Sequence, residues 1–252
     1  MNLFDSHSHL NDEKFDNDRE EVIKEICESG VKNFITAGYS VESSKKALEI
    51  ANKYDFIYTT AGISPNDIPQ TEEELWKQLA EIEQISKENS KKVCAIGEIG
   101  LDFSRQSYIS RNKQCMYFEQ IVRVCAEKDK LMSVHLRRAE EEAISILKKY
   151  RPRRCIIHWF NGNGEQLQQL VDIGCYFSLN SNMVTNEKNK EKLYLIPKTR
   201  VLIESDGPFT KIDGKKYTFN NLIKIYELVA RYYNEPDIIK MVYANFRDIL
   251  SK

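Results

Sequence analysis

Apolar residues fall in short runs separated by amphipathic stretches along the whole chain. The runs are Asn2–Ser6, Asn33–Ala37, Phe56–Ala61, Val93–Ile96, Leu131–Val134, Arg154–Ile157, Cys175–Leu179 and Arg200–Glu204. They are rich in Ile, Val, Phe and Cys, and continuous apolar runs of this length suit strands buried on both faces. Between them the period changes to that of a helix. Ala47, Leu48, Ala51 and Tyr54 share one face of Val41–Tyr54, and Leu167, Leu170 and Val171 do so in Asn163–Gly174. Phe219, Leu222, Ile223, Tyr226, Val229 and Ala230 form an apolar stripe within Tyr217–Tyr233. Ser40 and Thr71 stand where helix N-caps belong, and Pro236 opens a final helix, Pro236–Leu250. Alternating strands and helices argue for a parallel sheet. Eight strands with a helix after each close a barrel, for which about 250 residues is typical. The expectation is therefore an α/β TIM (β/α)8 barrel, with residues 1–252 as one domain. A doubly wound open sheet, or two small domains, would also fit the pattern or the length.

Composition narrows the chemistry. The net charge is -1, so no general electrostatic attraction to nucleic acid is built in. Any such attraction must be local or come from bound metal ions. The start MNLFDSHSHL lacks the basic-then-apolar form of a signal peptide, and no run approaches the roughly 18 apolar residues of a membrane span. Cys27, Cys94, Cys115, Cys125, Cys155 and Cys175 are scattered without a CxxC pair. Reduced core thiols in a cytoplasmic protein, monomeric and without a membrane anchor, are the expectation. The charged runs at 72–74, 140–142 and 188–192 read as solvated helix faces.

The chain has only four histidines, His7, His9, His135 and His158, and each lies at the C-terminal end of an expected strand. Active sites of TIM barrels form at those ends. Alternation along an extended segment turns His7 and His9 to the same side. Glu98 follows the fourth strand between Gly97 and Gly100, where small residues let the backbone turn and leave room in a pocket. Asp206 follows the eighth strand. Singly, each has an ordinary structural explanation: a core histidine, a loop glutamate, a turn-forming aspartate. As a set, His7, His9, Glu98, His135, His158 and Asp206 supply imidazole and carboxylate ligands of the right chemistry for two divalent ions. No cysteine joins them, which disfavours a structural zinc site.

The motifs DSHSHL at 5–10, GEIGLDF at 97–103, VHLR at 134–137, IIHWFNG at 156–162 and ESDGPF at 204–209 resemble those of the TatD family of metal-dependent deoxyribonucleases, and YANFRDIL at 243–250 resembles its closing helix. The resemblance runs nearly the whole chain, in order. It implies that His7, His9, Glu98 and Asp206 hold one ion, and that Glu98, His135 and His158 hold the other. Mixed imidazole and carboxylate ligands suit zinc, manganese, nickel or iron, and magnesium remains a candidate for supporting activity. The implied reaction is phosphodiester hydrolysis of DNA, as a 3′ exonuclease on single strands or ends. Two ions can polarise a phosphoryl oxygen and generate hydroxide. Asp206 is placed to orient the attacking water or take its proton, besides touching metal, and Glu98 is the catalytic bridge. Arg137 is a candidate phosphate clamp, and Asn161 a candidate substrate donor. One departure stands out. The family's GIHP turn reads Gly62-Ile63-Ser64-Pro65 here, so Ser64 replaces a histidine with a poor base. The segment Thr210–Thr218 also lacks an expected arginine, with Lys211, Lys215 and Lys216 as possible substitutes. Deacylation of mischarged aminoacyl-tRNA, small-amide hydrolysis, and service as a subunit of a larger assembly are the rival functions.

Overall fold

The computed structural model describes residues 2–104, 107–210 and 219–251. The strands are β1 (Leu3–Ser8), β2 (Val31–Ala37), β3 (Ile57–Ala61), β4 (Val93–Asp102), β5 (Met132–Arg137), β6 (Cys155–His158), β7 (Tyr176–Leu179) and β8 (Val201–Ile203). They lie in sequential order in one sheet, every adjacent pair parallel. β1 and β8 meet across the remaining gap. Ser6 Oγ donates to Ile203 O at 2.9 Å, and Asp206 N donates to His7 O at 2.9 Å. The architecture is the expected TIM-type barrel.

The helices are α1 (Arg19–Glu28), α2 (Val41–Lys53), α3 (Glu72–Glu88), α4 (Arg111–Glu127), α5 (Glu140–Tyr150), α6 (Gly164–Ile173), α7 (Ser181–Thr185), α8 (Lys190–Leu193), α9 (Phe219–Tyr233) and α10 (Ile238–Ser251). Local chemistry sets their ends. The Ser40 side chain caps α2 by accepting from Ser43 N at 3.1 Å, and Thr71 caps α3 from Glu74 N at 3.3 Å. Asn163 and Gln166 form a reciprocal capping box on α6, which stops at Gly174 in the left-handed region (φ 99°). α9 is fixed to the barrel by Tyr226, whose hydroxyl donates to Phe4 O at 2.9 Å and accepts from Phe4 N at 3.0 Å. Phe246 of α10 stacks on Phe4 with centroids 3.6 Å apart.

Some expectations need correction. β4 and β5 run on past Ile96 and Val134, because polar and glycine residues continue the ladder: Gly100 pairs with His135 and Asp102 with Arg137. After β7 there is no long helix but two short ones, α7 and α8, broken by the Asn186 turn and preceding Pro197. Residues 217 and 218 of the expected Tyr217–Tyr233 helix lie outside the described residues. Cys125, Cys155 and Cys175 are buried free thiols, but Cys27 is exposed on the outer side of α1 rather than in the core. Among the described residues no helix is long and apolar enough to cross a membrane.

Candidate metal centre

His7 sits within β1 and His9 just beyond it. His135 sits within β5, His158 ends β6, and Asp206 follows β8. Glu98 lies inside β4, not in a loop after it. Two glycines let its strand close in on its neighbours. A Cβ on Gly62 would stand 2.5 Å from the carbonyl carbon of Gly97, and one on Gly100 (φ 141°) would collide with the His135 carbonyl oxygen. Only glycine allows β3, β4 and β5 to approach this closely around Glu98.

The six residues face one buried space. Glu98 Oε2 is 3.5 Å from Nε2 of both His7 and His9. Its other oxygen, Oε1, is 3.4 Å from His135 Nδ1 and 3.7 Å from His158 Nε2. Asp206 Oδ1 stands 3.5 Å from His9 Nε2 and 3.9 Å from His7 Nε2. The two groups His7–Glu98–His158 and His7–His9–Asp206 each gather enough ligand atoms to hold an ion.

A layer behind these side chains orients them. His7 Nδ1 meets Ser133 Oγ at 3.2 Å, and His9 Nδ1 meets Ala37 O at 3.2 Å. A carbonyl only accepts, so neutral His9 carries its proton on Nδ1 and turns a lone pair on Nε2 toward the centre. That lone pair points at two carboxylate oxygens and lies 3.1 Å from His7 Nε2. Such an arrangement is repulsive unless a proton or a metal cation stands among them. Behind His135, Asp102 Oδ2 lies 3.5 Å from Nε2. Behind His158, Glu204 Oε1 lies 3.8 Å from Nδ1, held by Asn180 Nδ2 at 2.9 Å. Carboxylates behind metal-ligating histidines are a recurrent device for fixing ring orientation.

The electrostatics point the same way. Burial opposes the Glu98 charge, but bonds from His158 and His7 outweigh it and hold the carboxyl well below its ordinary range. Burial also opposes a charge on His158, yet Glu204 and Glu98 raise it well above the ordinary imidazole value. Burial, helped by the neighbouring His158, pushes His7 down to about 4. Beneath them, burial pushes the Asp5 carboxyl up to about 8. The centre as a whole demands positive charge, and the donor set fits divalent cations.

The substrate candidates lie around this centre in different states. Arg137 ends β5 and is exposed. Ser64 is buried, its hydroxyl donating to Asp67 Oδ2 at 2.5 Å. Asn161 is exposed, with its amide donating to Trp159 O at 2.9 Å, so one of its donors serves the turn itself. Lys211, Lys215 and Lys216 lie outside the described residues. Asp102, Glu204, Ser133 and Asn180 were not singled out from sequence. Asp102 and Glu204 stood within the quoted motifs, two residues from Gly100 and Asp206, and that proximity was the available signal.

The model of the family described as TatD related DNase matches residues 4–251. The chain belongs to this family. It is 31% identical over 213 residues to the 3′-5′ ssDNA/RNA exonuclease TatD of Salmonella typhimurium, covering 82% of this chain and 79% of that one. It is 34% identical over 212 residues to a metal-dependent hydrolase of Bacillus subtilis described as uncharacterized, covering 82% and 80%. A solved TatD homologue from Escherichia coli superposes with a TM-score of 0.88 at 20% identity, over 99% of this chain and 98% of that one. An amidohydrolase from Saccharomyces cerevisiae gives 0.89 at 17% identity, covering 99% of each. These two structures share the fold. The TatD-family protein is accordingly an enzyme, a metal-dependent hydrolase of the deoxyribonuclease type.

Proposed function

We propose that this enzyme removes nucleotides from the 3′ end of single-stranded DNA or RNA, using two divalent ions. The observation that carries the reading is the position of Glu98, with one carboxylate oxygen toward His7 and His9 and the other toward His135 and His158. That is the disposition of a bridging carboxylate. In this reading His7, His9, Asp206 and Glu98 hold one ion, and Glu98, His135 and His158 hold the other. Similarity to the Salmonella exonuclease supports the substrate and the direction.

Bound divalent ions supply Lewis acidity toward a phosphoryl oxygen and a deprotonated water near neutral pH. The chain's own residues do the rest. The Asp206 carboxylate accepts the proton of the attacking water. Ser133 and the Ala37 carbonyl keep the Nδ1 atoms of His7 and His9 turned away, so their Nε2 atoms face inward. Asp102 and Glu204 stand behind the other two rings, 3.5 Å from His135 Nε2 and 3.8 Å from His158 Nδ1. Arg137 at the exposed end of β5 offers its forked donors to a phosphate.

The test is a substrate panel on metal-reconstituted protein: 3′- and 5′-labelled single strands, duplex DNA, RNA, aminoacyl-tRNA and small amides. Stepwise shortening from the 3′ end of single strands, abolished by a chelator and restored by added metal, is expected. Turnover of aminoacyl-tRNA or a small amide with the nucleic acids left intact overturns the reading.

A further inference from the structure

Phe209 is a large apolar ring left 46% exposed beside the centre, three residues after Asp206. Its backbone is firmly mounted. Phe209 N donates to Asp206 O at 2.8 Å, His9 N donates to Gly207 O at 2.7 Å, and the Thr210 hydroxyl bonds Ser205 O. The ring meets the His9 ring edge-on, with centroids 5.1 Å apart and planes at 75°. Lys14, on the short turn after β1, places its ammonium 4.5 Å from the Phe209 centroid. The ring is thus positioned by its turn and its neighbours rather than by burial.

From this geometry we infer that Phe209 is a stacking platform for one nucleobase next to the scissile phosphate, with the Lys14 cation beside it for the adjoining backbone phosphate. The inference rests on the single-strand nuclease reading above. With 37 Lys and Arg against 38 Asp and Glu, the chain has no overall basic excess to draw in a strand. Stacking needs no net charge, and every base offers a π-face, so it serves single strands regardless of sequence. The competing role for the ring is an apolar cover that keeps water off His9. A cover needs only hydrophobic bulk, whereas a platform needs an aromatic face.

The test compares kcat/KM on labelled single-stranded oligonucleotides with a normal base or an abasic residue at the terminal position or, separately, at the penultimate one. For wild type, removing the base at one of these positions should cost about tenfold. Phe209→Ala should lose about the same on the normal strand and nothing further on that abasic strand. Phe209→Leu keeps the bulk without the aromatic face and should behave like the alanine variant, while Phe209→Trp should recover the base dependence. Trp76→Ala, an exposed aromatic on α3, is the unaffected control. With metal-reconstituted protein and a hydrolysis-resistant terminal linkage, 2-aminopurine at the same position should be quenched by wild type and stay bright with Phe209→Leu. Additive losses from the alanine and abasic changes, or a leucine variant equal to wild type, would overturn the inference alone. A wild-type protein that neither binds nor hydrolyses the strand overturns the nuclease reading together with it.

Discussion

Asp206→Asn separates the chemistry of the centre from the stability of the barrel. Asp206 holds a left-handed backbone (φ 47°), a conformation costing most L-residues about 1–2 kcal/mol but tolerated better by both Asp and Asn, whose short polar side chains can bond locally. Its backbone bonds to His7 O (2.9 Å), Phe209 N (2.8 Å) and Thr210 N (3.1 Å) do not involve the side chain. The exchange is nearly isosteric and leaves the turn in place. It removes a negative charge 3.5 Å from His9 Nε2, where unit charges at an effective dielectric of 20 interact by about 4–5 kcal/mol. It also removes the proposed proton acceptor, a role typically contributing about 10²–10⁴ in rate. The expected outcome is a kcat lower by about 10²–10⁴ on a labelled single strand, with a single cooperative melt retained. Metal content by mass spectrometry reports how far the amide oxygen still serves as a ligand. An unchanged kcat would refute the role of Asp206. Loss of the cooperative melt would refute the backbone argument.

Gly100→Ala should destabilise the barrel by about 2–5 kcal/mol in denaturant melts, since it combines a disfavoured φ with a collision against the His135 carbonyl. A melt within about 0.5 kcal/mol of wild type would show that β4 and β5 can part without cost. Ser64→His should raise hydrolysis of single-stranded DNA by restoring a group able to contact phosphate. Lower nuclease turnover would instead mark a substrate different from DNA. The slope of log affinity against log salt should have a magnitude of about 1–3, measured by fluorescence anisotropy, because only a few phosphates are gripped. A slope near 10 would place the binding surface somewhere other than the barrel mouth.

The barrel was legible because burial on both faces writes strands as continuous apolar runs, and all eight appear within a few residues of their place. What escaped was the C-terminal part of β4 and β5, which run on to Asp102 and Arg137. There the ladder continues through residues that do not look like strand. Gly97-Glu98-Ile99-Gly100 reads as a turn by composition, yet it stays in β4 because Gly100 can lie against His135 where a Cβ cannot. Period and propensity report the burial of side chains. They do not report a close approach of two backbones, which is a tertiary fact. The short helices after β7 escaped for a different reason: nothing in a strongly charged stretch distinguishes a broken helix from a solvated one.

The centre divides along a similar line. Its histidines announced themselves because the chain has only four and each falls near a strand end, whereas carboxylates are abundant and carry no such signal. Asp102 and Glu204 differ from the solvated acids only in being buried behind His135 and His158. Glu98 and Asp206 are buried with them, in a space whose nearest positive partners are imidazoles, whereas burial keeps the Asp5 carboxyl largely protonated near neutral pH. Interring that much acid in a small volume is unfavourable unless positive charge enters with it. Protonated imidazoles can answer part of the demand, as the raised affinity of His9 and His158 for protons indicates. Divalent ions answer it more fully, because each brings two charges to a place where the lone pairs already face inward. On the proposed reading the protein's near-neutral total and its strongly polarised centre are consistent: negative charge is concentrated where ions would compensate it, so the attraction for a phosphate would arise at the reacting bond rather than across the surface.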